Sequence, residues 1–153
     1  MDRRTEVDWR VNEHNHLECG FFPFVDGYLS DFLIMNISKS VKIVVNRDDL
    51  KKRCIFEFHG VIRYDIEIYG VDVVADLSIY TSKKLPSLIS DKKVNGDLDI
   101  LYRNYRDGGR AQELSAVFDQ NPSAYVAMFQ GNMDGRWAII FSDMNLFIEN
   151  ADF

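Results

Sequence analysis

Apolar residues recur at every second position through much of this chain, and a period of two is the mark of a β-strand with one buried face. The clearest case is "VIRYDIEIYG". There Ile62, Tyr64, Ile66 and Ile68 fall on one face, Arg63, Asp65, Glu67 and Tyr69 on the other, and Gly70 ends the run. Just before it, "CIFEFHG" sets Cys54, Phe56 and Phe58 against Ile55, Glu57 and His59, with Gly60 as the stop. After Gly70 the period resumes at Val73, Ala75, Leu77 and Ile79. Alternation with one wet face belongs to antiparallel sheets, and three consecutive strands in a meander are the simplest expectation.

Two hairpins flank this region. "FLIMNI" and "SVKIVV" turn around Ser38 to Ser40, with Val41, Ile43 and Val45 on one face. "AYVAMFQ" and "RWAIIF" bracket "GNMDG", whose Asp134-Gly135 supplies the left-handed backbone of a tight connection. "MNLFIE" closes the chain as a last strand or as a continuation of the one before it. One segment breaks the period. In "GDLDILYRNYRDGG", Leu98, Leu101, Tyr102 and Tyr105 are spaced for one helix face, Asp97 is placed to cap, and Gly108-Gly109 stops the pattern, which predicts a helix over 98–107. "RAQELSAVFD" fits either a second helix or a strand, with its composition on the side of helix. "TSKKLPSLISDKKVNG" has no sustained period and reads as an exposed connection. The expected fold is α+β: one domain over 1–153, mainly antiparallel sheet in meander and hairpins, with one or two helices packed on one face.

Composition narrows the class. A hydrophobic fraction of 46% with 13% aromatics excludes a disordered chain, and so many rings suit a pleated, half-buried surface. The opening "MDRRTEVDWR" is charged throughout and no stretch is long and apolar enough to span a bilayer, so a cytoplasmic protein without membrane contact is expected, with Cys19 and Cys54 as thiols. A net charge of −6 argues against nucleic-acid binding, which needs a basic face to neutralise phosphates. The acidity is concentrated at the end: residues 111–153 hold one cation, Arg136, against six acids. Such a field attracts a basic protein partner, although mild acidity also serves solubility alone.

Catalytic chemistry has little to stand on. Asp65 with Glu67, and Asp97 with Asp99, are paired carboxylates without a third element, and an acid on the wet face of a strand is the ordinary occupant of that position. "RDGGR" could form an anion-binding nest between Arg106 and Arg110, but a helix stop explains it equally well. "GNMDG" lacks the alternating carboxylates of a calcium loop, and there is no GxSxG. Cys54 is expected to face the sheet interior, where a thiol is inert. The chain is therefore read as a non-enzyme without a cofactor.

What remains is recognition. Asp65, Glu67 and Tyr69 on one strand, Tyr102 and Tyr105 on the helix, and Asp134, Asp143 and Glu149 in the acidic C-terminal part combine carboxylates with rigid aromatics, a mixture that suits binding to a basic target. The runs "RCIFEFHGVIRYDIEIYG" and "GRWAIIFSDMNLFIE" resemble segments of small immunity proteins from bacterial polymorphic and contact-dependent toxin systems. The resemblance covers about thirty residues. It implies a short, acidic, cytoplasmic domain that binds and blocks a cognate toxin, often a nuclease, and it implies no catalytic residues. The basic connection 83–93 departs from that pattern.

The alternative is a small metal-binding protein or metal-dependent enzyme. "NEHNHLEC" gathers His14, His16 and Cys19 within six residues. If "VDWRVNEHNHLEC" is one strand, His14, His16 and Glu18 share a face and Cys19 leaves it, a two-His-plus-carboxylate set that His59 from another strand could extend. A solvated, titratable pair of histidines is the other reading of the same residues. Oligomeric state is left open by the sequence.

Overall fold

A computed structural model describes residues 4–13, 17–18, 26–65, 73–81, 116–131 and 136–151. Eleven strands run through them: β1 Arg4–Val7, β2 Arg10–Val11, β3 Leu17–Glu18, β4 Tyr28–Met35, β5 Ser40–Arg47, β6 Lys52–His59, β7 Arg63–Asp65, β8 Val74–Thr81, β9 Tyr125–Gly131, β10 Arg136–Phe141 and β11 Asp143–Asn150. Five form one sheet in the order β1-β11-β6-β5-β4, four form a second in the order β7-β10-β9-β8, and β2 pairs with β3 as a small ribbon. Every pairing between these strands is antiparallel.

The two sheets pack face to face. From the first come Val41, Ile43, Val45, Cys54, Phe56, Phe58 and Leu146, and from the second Leu77, Ile79, Ala127, Phe129, Trp137, Ile139 and Phe141, all in one buried cluster. Rings interlock across the gap edge to face. Phe56 meets Phe129 at 5.5 Å, Phe58 meets Phe141 at 4.8 Å, and Phe32 meets Trp137 at 5.5 Å. Each such side chain contributes on the order of 1.5–3 kcal/mol by leaving water, with edge-to-face contact adding to that. Strand β4 runs across the second sheet: its first residue bridges Val73 just ahead of β8, Phe32 touches β10, and its end lies beside β7.

The central strands of the second sheet bury their other face as well. Val126, Ala138 and Ile140 alternate with the core residues and are as inaccessible as they are. That agrees with the unbroken apolar runs "YVAMF" and "WAIIF", which lack the polar half of an alternating strand. Residues 116–120 are helical, which decides the ambiguous "RAQELSAVFD" for helix over its last part, and Phe118 there is buried.

The antiparallel sheet and both hairpins are as expected. The packing partner is not: the described core is sheet on sheet, with helix in a minor part, where a helix on one face was expected. The helix over 98–107 lies outside the described residues, as do the connection 83–93 and the turn 132–135. The meander expected over residues 54–79 is overturned, while the consecutive strands β4, β5 and β6 do form one. β6 pairs only with β5 and β11, while β7 and β8 lie at opposite edges of the other sheet. Gly60 is the reason. Its φ of +59° turns the chain out of the first sheet, and a β-carbon there would run into the Ser142 side chain. Ser142 is itself the corner where β10 leaves the second sheet for β11 in the first, so "RWAIIF" and "MNLFIE" are two strands of different sheets. Ser142 donates N–H to His59 O at 3.0 Å, Val61 donates to Lys39 O at 2.8 Å and Ile62 to Ile140 O at 2.9 Å, which ties the two crossovers together.

Two smaller corrections share a cause, local breaks in the period. A register shift between Val74 and Asp76 puts Val74, not Val73, into the core. "VDWRVNEHNHLEC" is not one strand: Arg10 pairs with Glu18 and Val11 with Leu17, so the chain doubles back between them. Trp9 anchors the start of this ribbon, its indole N–H donating to Met144 O at 2.7 Å and its ring edge-on to Tyr125 at 5.6 Å.

Candidate interaction surface

The outer face of the five-stranded sheet carries charged residues from β1, β6 and β11. Val44, Ile55 and Phe147 lie side by side across β5, β6 and β11. Ile55 is buried although it faces away from the core, and the Arg4 guanidinium stands 4.9 Å over the Phe147 ring. Ion pairs flank this apolar strip. Arg53 Nη1 lies 2.8 Å from Glu149 Oε1 and donates through Nε to Asn46 Oδ1 at 3.0 Å. Arg4 reaches Glu149 at 3.9 Å and Glu57 at 3.7 Å. On the other side of the strip Asn145 donates to Glu6 Oε1 at 2.6 Å and takes a hydrogen bond from His59 Nε2 at 2.8 Å, since its Oδ1 can only accept. These groups are matched to one another within the chain. At the β5–β6 turn, Arg47 holds Asp49 with two 2.8 Å hydrogen bonds, which lowers the Asp49 carboxylate pKa and raises that of Arg47.

A different surface lies where the β4–β5 hairpin meets β7. A cleft of about 320 Å³ opens there, lined by Met35, Lys39, Val61, Ile62, Arg63 and Tyr64 among others. Exposed apolar side chains lie in it and near it: Ile62 of its lining is 41% exposed and Tyr64 40%, while Leu33 on the outer face of β4 is 52% exposed and Ile37 at the hairpin tip fully so. The charged side chains in its lining are Lys39 and Arg63, and Arg63 has its Nη1 buried. Lys39 and Lys42 take part in no ion pair among the described residues. This is also where the alternation of "VIRYDIEIYG" misled. Ile62 and Tyr64 have the parity of the core but lie just before and within β7, an edge strand of three residues among the described ones, and both are exposed.

Of the partner-binding residues singled out from sequence, the three that are described do not share a sheet. Asp143 and Glu149 are on β11 in the five-stranded sheet, whereas Asp65 is on β7 of the other sheet, opposite Ala138. Glu149 is half-buried and held by two arginines; Asp143 is exposed and accepts the Met144 N–H at 2.8 Å. Glu67, Tyr69, Tyr102, Tyr105 and Asp134 lie outside the described residues, as do His14, His16 and Cys19, and Glu18 is placed only as a residue of β3. Among the described residues no three His, Cys, Asp or Glu groups are arranged to hold a metal ion, and His59 has its Nε2 hydrogen committed to Asn145. Among them, too, no helix is long and apolar enough to cross a membrane. The cleft residues were missed, although "FLIMNI", six residues without a charge ending in an isoleucine inside a turn, was their signal.

Comparison with protein families, with characterised proteins and with solved structures finds no match to this chain. Its chemistry is therefore read from its own surfaces.

Proposed function

We propose that this protein is a non-enzymatic binding domain for another protein, and that it serves as an immunity protein which neutralises a cognate, basic toxin domain. The observation that carries the binding reading is the grouping of exposed apolar side chains. Among the described residues the exposed hydrophobic side chains of Met35, Ile62 and Tyr64 line one cleft, with Leu33 and Ile37 exposed on the adjoining hairpin, and scattered single exposures would have needed no explanation. Rigid aromatic and aliphatic anchors beside cations are what protein interfaces use at their centres. The net charge of −6 supports a basic partner through long-range attraction, which speeds encounter and weakens with salt.

The test is affinity capture from the source cell with the full chain as bait, followed by titration of the captured protein and assay of its activity. A stoichiometric complex in which that activity is blocked supports the reading. Recovery of no stoichiometric partner, or of one whose activity is unchanged in the complex, overturns the immunity role. Bound metal in the purified chain, found by elemental analysis, would favour the alternative built on His14, His16 and Glu18.

A further inference from the structure

We propose that the second half of β4 receives an extended segment of the partner as an added strand, one with apolar residues at alternate positions and carboxylates at the end nearer the cleft. This rests on the binding reading above and names its mode.

An edge strand offers a row of unpaired backbone groups, and natural sheets blunt such rows with lysine, proline, bulges or brevity. Among the described residues β4 is outermost in its sheet, and its beginning is protected in this way. Tyr28 is bridged to Val73, the register shifts between Leu29 and Asp31, and the Asp31 carboxylate takes the Phe32 N–H at 2.8 Å. After that the protection stops. From Phe32 to Ile37 the sequence has no charge and no proline, and the pairing with β5 is regular to Met35 and Ser40. The opposite edge of the same sheet, β1, carries Arg4 and Glu6 in four residues, and the nearby edge β7 is only three residues long.

The edge is also held ready. Phe32 and Ile34 pack against the core while Leu33 stands exposed on the outer face, so the backbone is fixed and an incoming strand would meet little ordering cost. Main-chain hydrogen bonds then supply affinity, and Leu33 and the cleft supply pockets for alternate side chains. Charge decides the partner's chemistry. Lys42 is the register neighbour of Leu33, and Lys39 and Arg63 line the cleft at the end of the strand. The field of the whole chain draws in a basic protein, but the cations beside this edge select carboxylates at the point of contact.

The probes are two synthetic eight-residue peptides of alternating valine and threonine, one ending in two glutamates and the other in two lysines, titrated into the full chain and followed by amide NMR. The glutamate peptide is expected to shift the amides of Phe32 to Met35 and of Lys39 and to bind at least about tenfold more tightly than the lysine peptide. Lys39→Glu should erase that preference without moving the unfolding midpoint. Methylating alternate backbone nitrogens of the peptide should abolish binding. Shifts confined to other strands, equal binding of both peptides, or undiminished binding of the methylated peptide would each overturn the proposal. So would sedimentation as a dimer that the peptide dissociates, because the occupant of the edge would then be a second copy. A captured partner that binds stoichiometrically but leaves the β4 amides unmoved sinks strand addition and leaves the binding reading standing.

Discussion

The outer face of the five-stranded sheet and the end where β4 approaches β7 are made from the same alternating strands, yet they dispose of their side chains in opposite ways. On the face, Arg4, Arg53, Glu57 and Glu149 satisfy one another around a strip of Val44, Ile55 and Phe147, and His59, Asn145 and Glu6 form a second chain beside it. At the β4–β7 end, isoleucines, a leucine and a tyrosine are left in water next to lysines without ion pairs among the described residues. The first arrangement gains from being left alone, because a partner would have to break matched pairs and desolvate them. The second gains from being covered. Acidity counted along the sequence pointed to Glu149; the distribution of satisfied and unsatisfied groups points to the cleft.

Tests at four places would break or sharpen that contrast. The largest effect is expected at the corner joining the two regions. Gly60→Ala places a β-carbon against Ser142 on left-handed backbone, and a loss of about 2–4 kcal/mol is expected in urea unfolding at constant m-value. Adding Ser142→Gly should recover part of that loss by removing the obstructing side chain; no recovery at all would mean that the close contact is not the cause.

Next is Tyr64→Ala at the cleft. It should weaken partner binding about tenfold or more while changing stability by less than about 1 kcal/mol, read by calorimetric titration and thermal unfolding side by side. Equal binding by this variant would remove the cleft from the interface. Glu149→Gln should do the reverse: a loss of about 1 kcal/mol of stability as the arginines lose their acceptor charge, with partner affinity unchanged. If Glu149→Gln abolished binding with the fold intact, the charged face would be the interface after all.

The smallest effect is at Asp49. Because the Arg47 hydrogen bond lowers its pKa, the stabilisation it gives is fully present above the ordinary carboxylate range near about 4 and is lost as pH falls through the lowered value. A carboxyl-carbon NMR titration should show a midpoint below the ordinary value, and Arg47→Gln should return it there.

Much of the fold was legible because burial on one face leaves a period of two in the sequence. Val41, Ile43 and Val45 were placed on one face, as were Cys54, Phe56 and Phe58, and both faces are the buried ones. The site was scarcely legible. Tyr64 and Ile62 have core parity and are exposed because they stand at an edge, and Arg63 has solvent parity with its Nη1 buried. Parity tells which face of a strand a residue occupies, but it says nothing of whether a second layer covers that face.

Local chemistry alone determined most of the longer strands, the hairpin at Ser38, and the shared face of Cys54, Phe56 and Phe58, since each depends on neighbours within a few residues. Which strands share a sheet was decided by the corners at Gly60 and Ser142, and those are contacts between residues 82 positions apart. The division of charges into paired and unpaired was likewise set by cross-strand register, which places Glu149 beside Arg53 and Lys42 beside Leu33. Such pairings leave no periodic trace in the chain, because they depend on which strands meet and not on how any one strand is patterned.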